Sequence, residues 1–260
     1  MNSPVLYETA DAVATITLNR PDSLNALSSE LMTDLRRHVE TAEHDTAVRA
    51  VLITGAGRGF SSGADLAEAS SRPSDRNSGQ TLRERYHPVI LALRRMPKPV
   101  ISAVNGVAAG AGMSLALSAD IVLAARSASF LQAFARIGLV PDAGSTWLLD
   151  RYAGSMRARA LAMLAERIPA EQARDFGLVW QVHDDDQLMP AARGLAARMA
   201  AMPTRALGLI KRTLDCAAMN PLAQQLEVEA DHQVLAQQGD DFKEGVRAFI
   251  EKRPPKFTGK

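Results

Sequence analysis

Residues able to move protons or hold anions are thinly spread along this chain, and one carboxylate stands apart. In GLVPDAGSTW (138–147), Asp142 lies between an apolar run and a run of small residues. Locally, Pro141-Asp142-x-Gly144 reads as a turn, with Pro fixing φ and Asp bonding nearby backbone. The competing role is an acid/base. Apolar neighbours raise a carboxylate's pKa towards neutrality, which suits a group that must both take and return a proton. Val140, Pro141 and Ala143 predict poor solvent access there.

Two glycine-containing stretches offer a second kind of chemistry. TGAGRGFSSGADL (54–66) and NGVAAGAGM (105–113) each follow a continuous apolar run, RAVLITG and VISAV, of the kind buried on both faces in a parallel sheet. Ligands of open α/β sheets bind beyond the strand ends. Small residues there let a ligand approach the backbone, and the free N–H groups where a helix opens favour negative charge. GAGRGF is not a dinucleotide fingerprint: its third glycine comes too early, no helix follows at once, and there is no Walker lysine. Glycines serving only turns and packing are an equal alternative at this level. The five histidines show no metal-ligand spacing, and a single cysteine, Cys216, rules out a disulfide within the chain and argues against a cysteine metal site.

The elements that must position these groups are legible in outline. VLYET (5–9) and AVATITL (12–18) predict a β-hairpin. Ser28–Glu43 predicts an amphipathic helix on Leu31, Leu35 and Val39, with Ser29 as its cap. Residues 68–80 read as a surface loop, a candidate mobile segment. A helix over 82–96, strands over 100–104 and 120–125 and an apolar helix MSLALSA (113–119) between them follow βαβ grammar. The last third is mainly helical, near 146–153, 155–166, 170–175, 186–201, 204–218, 221–237 and 240–250, with one strand-like run, LVWQV (178–182).

Composition bounds the reading further. At 260 residues, 47% hydrophobic and 23% charged, this is an ordinary globular chain with room for one large α/β domain or a core with an appendage. A net charge of +1 provides no field to attract nucleic acid or an anionic membrane. The N-terminus lacks a signal-peptide pattern, and no apolar run approaches the roughly 18–20 residues of a membrane span. A cytoplasmic protein is expected.

Four motifs in register carry a resemblance. ITLNRPDSLNAL, GRGFSSGADL, PKPVISAVNGVAAGAGMSLALSADIVLA and ASFLQAFARIGLVPDAGSTWLL together resemble the enoyl-CoA hydratase/isomerase (crotonase) family, over essentially the whole chain to GVRAFIEKRPPKFTGK. The resemblance implies an α/β fold of stacked ββα turns over residues 1–200 and a helical oligomerisation region over 201–260. It implies an acyl-CoA substrate, no separate cofactor or metal, and a homotrimer or dimer of trimers. Carried over by motif, the backbone amides of Ala64 and Ala111 form the oxyanion hole for the thioester oxygen. Leu24, Ala26, Ser62, Ala64, Asp65 and Leu66, with Gly110 and Gly112, would lie along the substrate and its CoA, and Lys256 or Phe257 would contribute from the tail, in this subunit or a neighbour. For Asp65 a helix cap is an equal reading.

Departures from the pattern bear on the reaction. Hydratases of the family carry two glutamates that hold water; the corresponding positions here are Ser114 and Phe134. A serine with no adjacent base is a poor general base, so Ser114→Ala is expected to be nearly silent. Asp142 falls where the family's double-bond isomerases place a lone catalytic Asp. The match is closest to the branch that isomerises ring-epoxidised phenylacetyl-CoA to an oxepin, whose relatives also shift Δ3 double bonds to Δ2. Tyr86, Phe134 and Trp147 are candidates to line an aromatic acyl pocket or to pack the core. Competing readings are a hydratase using Glu68 or Glu84, a thioester hydrolase, an RNA-binding relative and a non-catalytic CoA-binding scaffold.

Overall fold

The structure is a computed structural model that describes residues 3–70 and 77–260. Ten strands run in chain order as β1 (Val5–Ala10), β2 (Val13–Leu18), β3 (Ala50–Gly55), β4 (Gly59–Ser61), β5 (Val100–Val104), β6 (Val107–Ala109), β7 (Ile121–Ala125), β8 (Ser129–Leu131), β9 (Arg167–Pro169) and β10 (Gln181–His183). They divide between a larger sheet, β1-β2-β3-β5-β7-β10, and a smaller one, β4-β6-β8-β9. Within β3–β8, successive strands alternate between the two sheets. Each turn of chain therefore lays one strand in each sheet before its helix, which is the expected stacked ββα architecture.

The burial pattern explains the choice. Every residue of β3 and β5 is buried, as parallel strands covered on both faces require. Asp11 and Ala12, both with positive φ, close the β1–β2 hairpin as a two-residue turn. Helix α1 (Ser29–His44) buries Leu31, Met32, Leu35, Val39 and Ala42; its cap is Ser28, whose hydroxyl accepts the Leu31 N–H, and not Ser29. The remaining helices are α2 (Leu66–Ser70), α3 (Ser78–Thr81), α4 (His87–Arg95), α5 (Ala111–Leu117), α6 (Ser145–Ala153), α7 (Ser155–Leu164), α8 (Ala170–Asp175), α9 (Leu188–Ala201), α10 (Thr204–Ala217), α11 (Leu222–Gln237) and α12 (Asp240–Ile250).

Sequence expectations for the long elements hold within a few residues; the short ones differ. The helix expected over 82–96 opens as a π-turn over Leu82–Tyr86. LVWQV is a strand only from Gln181, because Leu178 and Val179 are spent on core packing. Of the loop expected over 68–80, Glu68–Ser70 complete α2 and Ser78–Gln80 belong to α3, while 71–76 lie outside the described residues. No helix among the described residues is long and apolar enough to cross a membrane.

Candidate active site

The two glycine-containing stretches meet at the C-terminal ends of the parallel strands. Between β4 and α2, the chain pairs with the NAL turn through a single parallel bridge, Leu27 to Ala64. Leu27 donates to the Gly63 carbonyl (2.8 Å) and Asp65 donates to the Leu27 carbonyl (3.4 Å), so the intervening Ala64 amide lies outside the pairing. Ala111 is the first residue of α5, where helix geometry leaves an amide without an intrahelical acceptor. A Cβ on Gly63 (φ +94°) would sit 2.7 Å from the Ala109 carbonyl oxygen and 3.5 Å from the Ala111 nitrogen. Only glycine fits there, and its backbone lies directly against the Ala111 amide. Tertiary contact thus sets Gly63, the residue before Ala64, against the Ala111 amide.

The supports of this constellation are mostly buried polar groups. Asn25, fully buried at φ 55°, accepts the Arg20 N–H (2.8 Å) and donates to the carbonyls of Ala56 (3.0 Å) and Gly59 (2.8 Å). Ser61 donates to the Asn25 carbonyl (2.8 Å), and Tyr86 donates to the Leu27 carbonyl (3.2 Å). Neither Asn25 nor Ser61 was singled out by sequence; a buried Asn inside a turn bounded by Pro21 is the signal that was there to read.

The expected CoA-contacting residues do not all fall together. Leu24, Ala26 and Ser62 cluster with the amide pair: the Ser62 amide donates to the Leu24 carbonyl (2.8 Å), and Arg20 donates to the Ala26 carbonyl (2.7 Å). Leu66 is exposed at the start of α2. The Asp65 carboxylate is committed elsewhere, pairing with Arg20 (2.8 Å) and accepting the Glu68 N–H (3.1 Å) as a cap for α2. Gly110, at φ 51° and ψ −127°, has room for a Cβ only against the Phe134 ring (3.7 Å), whereas Gly112 packs onto Ser61, whose carbonyl oxygen a Cβ would meet at 2.6 Å. Lys256 and Phe257 sit at the other end of the sheet: Arg49, just before β3, donates to the Phe257 carbonyl (2.9 Å), and the Lys256 amide donates to Glu244 (2.8 Å). The six residues of β3, about 20 Å of strand, separate that tail from the amide pair of the same chain.

Asp142 lies beside the first turns of α5. Its carbonyl accepts the Ser114 hydroxyl (3.0 Å) and the Ser145 amide (3.0 Å). Its carboxylate is different: Oδ1 is buried and has no hydrogen-bond partner among the described residues. Burial alone pushes its pKa up to about 6. The shelter is less complete than the local sequence predicts. Asp142 is half-buried and Ala143 buried, but Val140 is 79% exposed because the segment from Ile137 to Val140 runs along the surface.

Of the aromatic candidates, Phe134 is buried against Gly110 and Tyr86 beneath the Leu27–Ala64 bridge. Trp147 is not in the core: it is 36% exposed, the Arg151 guanidinium lies 3.8 Å over its ring, and it lines a cavity of about 530 Å³ with Arg94, Asp120, Tyr152 and Lys211. Glu68, one of the two acids a displaced hydratase site would need, accepts the backbone amide of Ser29 (2.7 Å) and the Ser29 hydroxyl. The other, Glu84, is exposed and accepts from Gln80 (2.7 Å). Neither joins Asp142.

A two-sheet ββα stack with paired amides at its strand ends defines a crotonase fold, and the chain belongs to the enoyl-CoA hydratase/isomerase family, whose model matches residues 8–260. It is an enzyme of that family, which acts on acyl-CoA thioesters. It is 47% identical over 258 residues to the 1,2-epoxyphenylacetyl-CoA isomerase of Escherichia coli K12, covering 98% of each chain. It is 44% identical over 256 residues, again 98% of each, to a Rhodobacter capsulatus protein named "Probable enoyl-CoA hydratase". A crystal structure of an enoyl-CoA hydratase from Bacillus anthracis superposes with a TM-score of 0.93 at 31% identity, covering 99% of this chain and 100% of that one.

Proposed function

We propose that the protein is an acyl-CoA isomerase that converts a ring 1,2-epoxyphenylacetyl-CoA to the oxepin thioester, shifts Δ3-enoyl-CoA to Δ2, or both. The observation that carries this reading is the unpaired, half-buried carboxylate of Asp142 beside the helix that opens at Ala111. In the double-bond shift, Asp142 takes a proton from the carbon next to the thioester carbonyl, and the electron pair moves onto the carbonyl oxygen. The amides of Ala64 and Ala111 stabilise that oxyanion, each contributing about 3–4 kcal/mol to the transition state. The protonated carboxyl then returns the proton two carbons further along the chain. A pKa of about 6 lets the group be mostly ionised at neutral pH and still donate readily. CoA is part of the substrate, and the reaction needs no other cofactor.

The 47% identity to an epoxyphenylacetyl-CoA isomerase supports the aromatic substrate. Against hydration stand Ser114 and Phe134, neither of which can replace a glutamate that activates water, and the commitments of Glu68 and Glu84. The test is a screen of Δ3-enoyl and ring-epoxide CoA thioesters with product identification. Isomerised product without a 3-hydroxyacyl species is expected; accumulation of 3-hydroxyacyl-CoA from a 2-enoyl substrate would move the protein to the hydratases.

The reading extends to assembly. Residues 201–260 carry exposed Ile210, Leu214, Leu222, Leu226 and Ile250, with Phe249 at 85% exposure. Such faces are what a subunit interface covers. In a trimer or a pair of trimers, Lys256 and Phe257 would serve a neighbour's CoA site, since they lie away from their own. A solution mass equal to one chain at micromolar concentration would contradict this.

A further inference from the structure

We propose that Ser114 is a positioning residue that fixes the Asp142 loop to the oxyanion helix. The inference rests on the isomerase reading and assigns a hydroxyl that the family pattern leaves without a role. Ser114 is fully buried in α5, and its Oγ lies 3.0 Å from the Asp142 carbonyl oxygen and 3.3 Å from the Gly110 carbonyl oxygen. A hydroxyl has one proton to give, and the shorter contact takes it across to the loop.

Three features make this bond consequential. Ser114 stands three residues after Ala111, on the same side of the helix. The relation between the Ala111 amide and the Asp142 loop is therefore set within a single turn of α5. The loop also needs holding: Ala143 adopts φ 50°, a left-handed conformation that costs a non-glycine residue energy and persists only where its surroundings enforce it. Finally, the Asp142 side chain has no tether of its own, because Oδ1 has no partner among the described residues. Its position depends on the backbone, and among the described residues the backbone carbonyl is held by the Ser114 hydroxyl and the Ser145 amide. A pairing residue on the carboxylate would fix it as well, but would lower its pKa and remove its use as a proton shuttle. Tethering the carbonyl instead leaves the acid free. The proposal departs from the expectation that Ser114→Ala is nearly silent.

The test compares Ser114→Ala with Ser118→Ala in the complete protein, using a Δ3-enoyl-CoA thioester as the probe. Ser118, the C-cap residue of α5, is an equally buried hydroxyl that donates to the Ser114 carbonyl (2.8 Å), so it controls for loss of a buried hydroxyl. Ser114→Ala is expected to lower kcat on the order of tenfold with KM little changed, the effect of a slightly misplaced reacting group. Its acidic pH limb should fall below that of wild type as the loosened carboxyl gains water, and Ser118→Ala should leave kcat and limb in place. In the Asp142→Asn background, Ser114→Ala should cost nothing further. Wild-type kcat and an unmoved limb in Ser114→Ala would overturn the proposal, as would an undiminished tenfold loss in the double variant. Failure of the reading beneath it shows separately, as wild-type turnover in Asp142→Asn alone.

Discussion

Asp142 and Asp120 are aspartates whose carboxylates lose part of their water, at opposite ends of the parallel strands, and their surroundings differ in kind. Asp120, just before β7, accepts the Val100 amide (2.8 Å) and the Lys211 ammonium (2.9 Å), with the Arg94 guanidinium 3.6 Å away. Burial pushes its pKa up and that of Lys211 down, each opposed by the other's charge. Arg94 continues the network to Asp215 on α10. Among the described residues the Asp142 carboxylate has no such company, and burial alone raises its pKa. A carboxylate that serves the fold is given partners that offset its desolvation. In the proposed reaction Asp142 exchanges protons, and its carboxylate has no partner among the described residues, at a cost in stability.

The contrast breaks most directly at Asp142. Asp142→Asn preserves shape and removes the base, so kcat should fall on the order of a hundredfold to ten-thousandfold with thioester binding near normal. Steady-state kinetics with activity within threefold of wild type would erase the distinction between the two aspartates. Next in size is Asp120→Ala, which takes the carboxylate from the buried Lys211 ammonium and leaves it the Leu93 carbonyl (2.7 Å). Denaturant unfolding should show a loss of about 3–5 kcal/mol, while the protein that remains folded turns over near the wild-type rate. Activity lost without stability would mean the network at Asp120 is not merely structural.

Two smaller effects sharpen the comparison through pH. In the proposed reaction Asp142 must be ionised to act, so kcat/KM should rise with pH along a limb centred near 6, the value to which burial pushes Asp142. A limb near 4, ordinary for aspartate, would mean water reaches the carboxylate freely in the working enzyme. The same shift has a stability sign. Because the folded-state pKa lies above the unfolded one, ionising Asp142 weakens the fold progressively from about pH 4 to about pH 6 and fully above that. Asp142→Asn should therefore raise the melting temperature by a few degrees at pH 8 and leave it unchanged at pH 4. A lowered melting temperature at pH 8 would show that the carboxylate has a partner in solution.

The sequence by itself determined the long elements and the family. Apolar runs such as VLITG and VISAV, the spacing of Leu31, Leu35 and Val39, and the prolines and glycines between the late helices are local signals, read from neighbours along the chain. The motif order placed Ala64, Ala111 and Asp142 as candidates. The second sheet was not legible, because three-residue strands such as β4, β6 and β8 are too short to show a period and take their conformation from pairing with each other. Nor could sequence say which carboxylate is free. Asp65, Asp120 and Asp142 look alike as residue types. Whether each finds Arg20, Lys211 or no partner among the described residues depends on what distant segments bring within 3 Å or so, the reach of a hydrogen bond. Tertiary structure alone decided that, as it decided that Trp147 stacks under Arg151 and that Ser114 reaches the Asp142 carbonyl. Burial and hydrogen bonding act between groups far apart in the chain, and only the folded backbone sets which groups those are.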